Sequence, residues 1–158
     1  MTPLEDVEIL LVEDNPNDVE LTLRALQKQN LANKVFVVKD GAEALDYLYR
    51  RGAFASRSDN QPILMLLDLK LPKVDGLEVL RQIKGDAGLK MIPIVMMTSS
   101  RQEQDLVRSY ELGVNAYVVK PMKFQDFAEA VKQVSGFWAV INEVPASLHR
   151  EGAASEGT

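Results

Sequence analysis

Five short apolar runs, spaced along the chain with amphipathic stretches between them, limit its fold more than any other feature. They are Val7-Glu8-Ile9-Leu10-Leu11-Val12, Lys34-Val35-Phe36-Val37-Val38, Ile63-Leu64-Met65-Leu66-Leu67, Ile94-Val95-Met96-Met97 and Asn115-Ala116-Tyr117-Val118-Val119. Strands that are apolar nearly throughout, rather than on alternate residues, belong to parallel sheets buried on both faces. Helical patterns between such strands supply the cover. The fold class is therefore α/β.

The intervening segments carry helix signals. Asn15 caps a helix with Pro16 in its first turn, where a missing N–H is harmless, and Val19, Leu23 and Leu26 share a face. Asp40 and Glu43 form a capping-box-like start before Ala44, Leu45 and Leu48. Residues 52 to 61 form a polar loop longer than the usual helix-to-strand connection. Leu69 to Val74 is a loop with Pro72, and Asp75-Gly76 opens a helix bearing Leu77, Leu80 and Ile83. Ser100 and Glu103 frame a capping box, Leu106, Val107 and Tyr110 face inward, and Gly113 ends that helix in a left-handed residue. Phe124, Phe127, Ala128, Val131 and Val134 form a last stripe that extends to Trp138 and Ile141. Residues 1–143 are expected to form one domain with an extended C-terminal helix. Residues 144–158, small and polar, are expected to be disordered.

Composition removes several functional classes. A chain of 158 residues buries about 70% of its unfolded surface and needs no staples. It has no cysteine, which excludes disulfides and thiolate chemistry, and its single histidine, His149, lies in the polar tail. The net charge of -5, with no basic stripe, argues against a nucleic-acid partner. No apolar run approaches the roughly 18 residues of a membrane span, and no hydrophobic leader is visible, so a cytoplasmic location is expected.

The chemistry lies at the strand ends. The first run stops at Glu13-Asp14, the third at Asp68, the fourth at Thr98 and the fifth at Lys120-Pro121. A parallel sheet brings all four ends to one edge. Singly, such residues serve as caps, turns or surface hydroxyls; together they form a site. Two carboxylates about 4 Å apart repel by roughly 4 kcal/mol at an effective dielectric near 20, so three call for a cation. Glu13, Asp14 and Asp68 offer the oxygen ligands that Mg2+ (or Mn2+) prefers. A carboxylate is a competent phosphoryl acceptor, and Asp68 is placed to be one, with Lys120 and Thr98 each holding a phosphoryl oxygen.

These motifs, Val12-Glu13-Asp14-Asn15, Leu67-Asp68-Leu69-Lys70-Leu71-Pro72 with Asp75-Gly76, Met97-Thr98-Ser99, and Tyr117-Val118-Val119-Lys120-Pro121, closely resemble the receiver domain of two-component response regulators from about Val7 to Ser135. The resemblance implies a flavodoxin-like, doubly wound five-stranded sheet of order 2-1-3-4-5 with its site at the carboxyl edge. It implies that Asp68 accepts phosphate from a histidine kinase. Asp14 and Asp68 would ligate the metal directly, Glu13 through water, and the Lys70 carbonyl would add a further ligand. It also implies a cis peptide at Pro121, a switch pair of Thr98 and Tyr117, and control of phosphate lifetime at Lys70 and Ser100.

The length suggests a single-domain regulator, with no enzymatic activity beyond its own phosphotransfer and dephosphorylation. The long loop and the Phe137-Trp138 extension resemble the small regulators paired with phytochrome-type kinases. A bacteriophytochrome or a phosphotransfer protein is the expected partner. Phe137 and Trp138 are interface candidates for a homodimer, for kinase docking, or for folding back on the sheet. An alternative is a haloacid-dehalogenase-like phosphohydrolase, but it wants a second Asp where Lys70 stands. An FMN binder would have its phosphate repelled by Glu13-Asp14. A pseudo-receiver would lack the acids or the acceptor.

Overall fold

The computed structural model describes residues 9–28, 34–57, 61–99, 102–114, 116–120 and 123–132. Five strands, β1 (Ile9–Val12), β2 (Val35–Val38), β3 (Leu64–Asp68), β4 (Ile94–Thr98) and β5 (Ala116–Val119), alternate with five helices. These are α1 (Pro16–Gln27), α2 (Gly41–Tyr49), α3 (Gly76–Lys84), α4 (Glu103–Glu111) and α5 (Phe124–Lys132). The strands pair in parallel in the order β2-β1-β3-β4-β5, as expected.

Alternation along the strands divides the interior into two layers. Leu10, Val12, Met65, Leu67, Ile94 and Met96 face Ala44, Leu45 and Leu48 of α2 and Val79, Leu80 and Ile83 of α3. Ile9, Leu11, Leu64, Leu66, Val95, Met97, Ala116 and Val118 face Ala25 and Leu26 of α1 and Ala130 of α5. The strand order reverses between β1 and β3, which opens a crevice at the carboxyl edge.

Several local features differ from the sequence expectations. In α1 the expected face of Val19, Leu23 and Leu26 packs against the core, and Thr22 and Ala25, not expected, are buried beside it. The α2 cap works through Asp40, which accepts the Glu43 N–H at 2.7 Å, but Glu43 accepts from Lys39 rather than from Asp40. The segment read as a polar loop contains a 3₁₀ turn (Gly52–Phe54) and two buried residues. Phe54 meets the rings of Tyr47 and Phe36 edge-on. Arg57 donates to the Tyr47 carbonyl at 2.9 Å and lies 4.2 Å from the centre of that ring. In α4, Gln102 takes the cap position without a side-chain capping bond; Ser100, of the expected capping box, lies outside the described residues. Tyr110 is exposed rather than inward-facing and meets Tyr117 edge-on. Gly113 ends the helix with φ 87°, as expected.

Gly76 joins the fold to the site. A Cβ there would lie 2.1 Å from the Asp68 carbonyl oxygen and 2.8 Å from that of Leu69. Both obstacles are backbone, so the start of α3 and the end of β3 would have to separate. Gly76→Ala is expected to cost about 3 kcal/mol or more, lowering Tm by roughly 10 °C. Thermal unfolding measures it; an unchanged Tm would mean that the β3–α3 loop yields freely.

Candidate functional site

Two residues beyond Leu11, Leu66 and Val118, all in the α1/α5 layer, come Glu13, Asp68 and Lys120. Alternation therefore sends these three side chains toward one side of the carboxyl edge. Glu13 is fully buried. Its backbone N–H extends the ladder to Val38 O at 3.0 Å. One of its carboxylate oxygens accepts from Asn15 N at 3.1 Å and the other from Lys120 Nζ at 3.0 Å. Asp68 ends β3, 3% exposed, held where Leu69 N donates to Met97 O at 2.8 Å. Its Oδ2 accepts from Lys120 Nζ at 3.3 Å, and Lys70 N lies 3.4 Å from Oδ1. Lys120 is fixed in turn by its own N–H, which donates to Thr98 O at 2.7 Å.

Asp14 is exposed beside this group, and one oxygen each of Glu13, Asp14 and Asp68 lie within 4.8 Å of one another. This all-oxygen donor set fits Mg2+ or Mn2+ in number and hardness. Burial first, and then the charge of Glu13, push the Asp68 carboxyl up to about 7, against the pull of Lys120. Burial alone would depress the Lys120 ammonium, but its bonds to Asp18 and Glu13 and the charge of Asp68 reverse that and hold it well above the ordinary lysine value.

The structure thus brings Glu13, Asp14, Asp68 and Lys120 together, and adds Asp18. Asp18 Oδ2 accepts from Lys120 Nζ at 2.9 Å. In the sequence Asp18 reads as an ordinary acid in a helix's first turn, and only the structure shows that it shares a face with buried Thr22, four residues on. Thr98 ends β4, 2% exposed, in the same layer as Met96. Tyr117 is partly buried on neighbouring β5, paired with Met96. Lys70 reaches away to α4, its Nζ 3.7 Å from Asp105 Oδ2. Ser100, Pro121, Phe137, Trp138 and the tail lie outside the described residues. A groove of about 390 Å³ between α3 and α4, lined by Asp75, Glu78, Arg81, Arg108 and Glu111 among others, contains none of the clustered acids. Among the described residues no helix is long and apolar enough to cross a membrane.

A family model for the response regulator receiver domain matches residues 9–132. A structure of the bacteriophytochrome response regulator AtBRR is 62% identical, with a TM-score of 0.76 over 82% of this chain and 93% of its own. A probable methanogenesis regulatory protein, FilR2 of Methanothrix harundinacea, is 42% identical over 87% of this chain and 86% of its own. Response regulator Rcp1 of Synechocystis sp. is 38% identical over 88% of this chain and 93% of its own. The structure of its Mn2+-bound form superposes with a TM-score of 0.68 at 39% identity, over 82% of this chain and 92% of that one. Nothing in these comparisons supports a haloacid-dehalogenase-like phosphohydrolase.

Proposed function

The chain belongs to the response regulator receiver domain family, and on that premise we propose that Asp68 is its phosphoacceptor and a sensor histidine kinase its donor. The observation that carries this reading is a buried carboxylate at the carboxyl edge with an ammonium at 3.3 Å and two further acids beside it. An Asp68 oxygen attacks the phosphorus of a phosphohistidine, a P–O bond forms, the P–N bond breaks, and its electron pair leaves with the imidazole. Lys120 and Thr98 take phosphoryl oxygens as charge spreads over them. Receiver domains use Mg2+ or Mn2+; Glu13, Asp14, Asp68 and the Lys70 carbonyl are the groups that would hold it. When bound it neutralises charge on the transferring group.

The product is a signal. A phosphoryl group adds about -1.5 to -2 charge at the edge, and the expected response runs through Thr98, Tyr117 and α4. The chain then works as a signalling domain that turns over no separate substrate. Its similarity to the bacteriophytochrome response regulators AtBRR and RtBRR favours a bacteriophytochrome-type kinase as donor. Phosphotransfer profiling against the sensor kinases of the source organism tests this: a phytochrome-type kinase should label the chain far faster than the rest. Equal labelling by all of them, or by none, would remove the pairing. Phe137 and Trp138 are proposed as a homodimer seam. Sedimentation of Phe137→Glu beside wild type should give a lighter species, and equal masses would leave the seam without support.

The phosphate's lifetime is open to a similar test. Lys70 pairs with Asp105, so its ammonium is held toward α4 rather than over Asp68. Lys70→Ala is therefore expected to change the rate of phosphate loss less than threefold, well under what a group lying over the phosphoryl would give. Timing phosphate loss in the two proteins decides it, and a tenfold acceleration would restore a shielding role.

A further inference from the structure

We propose that Asp18 is a positioning residue for phosphoryl transfer, holding the Lys120 ammonium in place through the reaction. The inference rests on the reading of Asp68 as acceptor. An ammonium has three N–H donors and no acceptor. Here all three have carboxylate partners: Asp18 at 2.9 Å, Glu13 at 3.0 Å and Asp68 at 3.3 Å. The longest of the three is the bond to the reacting group. When a phosphoryl group joins Asp68, that N–H must turn to a phosphoryl oxygen while the other two hold the ammonium still.

The two anchors approach from different elements. Glu13 continues β1 and is fully buried. Asp18 descends from the first turn of α1, whose start is fixed because Asn15 Oδ1 accepts from Asn17 N at 2.8 Å and Asp18 N at 3.1 Å. The carboxylate is thus carried on rigid backbone, and the lysine stem, otherwise a flexible four-carbon chain, is pinned from two sides and 11% exposed. Asp18 has no part in the carboxylate cluster suited to metal, which is Glu13, Asp14 and Asp68. Its role is to place Lys120. No proton moves: the Asp68 oxygen attacks, the donor's P–N bond breaks, the leaving amine departs with its electron pair, and Lys120 keeps its three hydrogens.

The test uses the full chain with Mg2+ and phosphoramidate. Asp18→Ala is expected to slow labelling roughly tenfold to a hundredfold, the range for a displaced transition-state group. Asp18→Asn keeps an acceptor oxygen at the same point and should recover most of the rate. A second readout is 19F NMR of the fluoroberyllate complex. Its fluorine beside Lys120 should be sharp in wild type and Asp18→Asn and exchange-broadened in Asp18→Ala. Wild-type labelling in Asp18→Ala overturns the proposal. Equal slowing in both variants also overturns it, since that would indicate charge rather than placement. If Asp18→Ala does not fold, Asp18→Asn still decides: a rate within threefold of wild type with a sharp fluorine signal supports placement, and a larger loss rejects it. Failure of the wild-type chain to label at all would instead overturn the reading of Asp68.

Discussion

Asp68→Asn is expected to lower covalent phosphorylation by three orders of magnitude or more, the scale on which enzymes lose activity with their nucleophile. A neutral amide is a poor nucleophile toward phosphorus, and the nearby alternatives are badly placed. Both Glu13 oxygens are already engaged, by Asn15 N and by Lys120. Asp14 is exposed and makes none of the described bonds to Lys120. Intact-mass measurement after incubation with a phosphodonor and Mg2+ reads the result, and labelling of the variant at wild-type stoichiometry would refute the assignment.

The same substitution has a stability signature of opposite sense. The Asp68 carboxyl is pushed from 3.8 to about 7 in the folded chain. A raised folded-state value means that its contribution to stability is fully present below pH 3.8 and is lost as pH rises through 7. The uncharged Asn escapes that loss. Without metal, the variant should therefore be more stable than wild type at pH 8, by no more than about 4 kcal/mol. The difference should close toward pH 4. Adding Mg2+ at pH 8 should narrow it as well, since binding to the wild-type site stabilises that fold. Urea unfolding at the two pH values measures it, and a pH-independent difference would contradict the assigned shift.

How much of the fold and of the site is legible in the sequence depends on the kind of signal each residue carries. The strands and their carboxyl ends were legible because a sheet buried on both faces forces continuous apolar runs, and the polar residue ending each run is then placed by topology alone. Glu13, Asp68, Thr98 and Lys120 follow from that. Asp18 does not, because the α1 stripe of large apolar residues, Val19, Leu23 and Leu26, leaves out Thr22 and Ala25, which are buried as well. Small and polar residues can face inward where a helix sits close, and a hydrophobicity pattern passes over them. Phe54 and Arg57 were missed for a related reason: one ring and one cation among small polar residues have no period, yet each finds Tyr47. Tyr110 errs the other way, a large ring that periodicity assigns to the core but that stays half outside, against Tyr117.

Lys120→Met should show what the ammonium does in the absence of phosphate. In the wild-type chain one cation serves Glu13, Asp18 and Asp68, two of them buried. Removing it leaves those carboxylates facing one another out of water, and breaking a buried ion pair from one side typically costs about 3–5 kcal/mol. Methionine fills the stem's volume, so the loss is electrostatic rather than a cavity. The metal-free variant should unfold at markedly lower urea than wild type. A divalent cation held by Glu13, Asp14 and Asp68 would supply positive charge to two of those three acids, Glu13 and Asp68, so Mg2+ should raise the stability of Lys120→Met by more than it raises that of wild type. Phosphorylation should nevertheless stay slow in the variant even with the metal present. A donor aimed at developing charge is worth about 10²–10³ in rate, and Lys120 is the ammonium that supplies such a donor at Asp68; Glu13, Asp14 and Asp68 would hold the metal, whose charge would not replace that directed N–H. Stability that returns with Mg2+ while labelling does not would separate the lysine's two roles. Recovery of both together would mean that Lys120 is only a counter-ion.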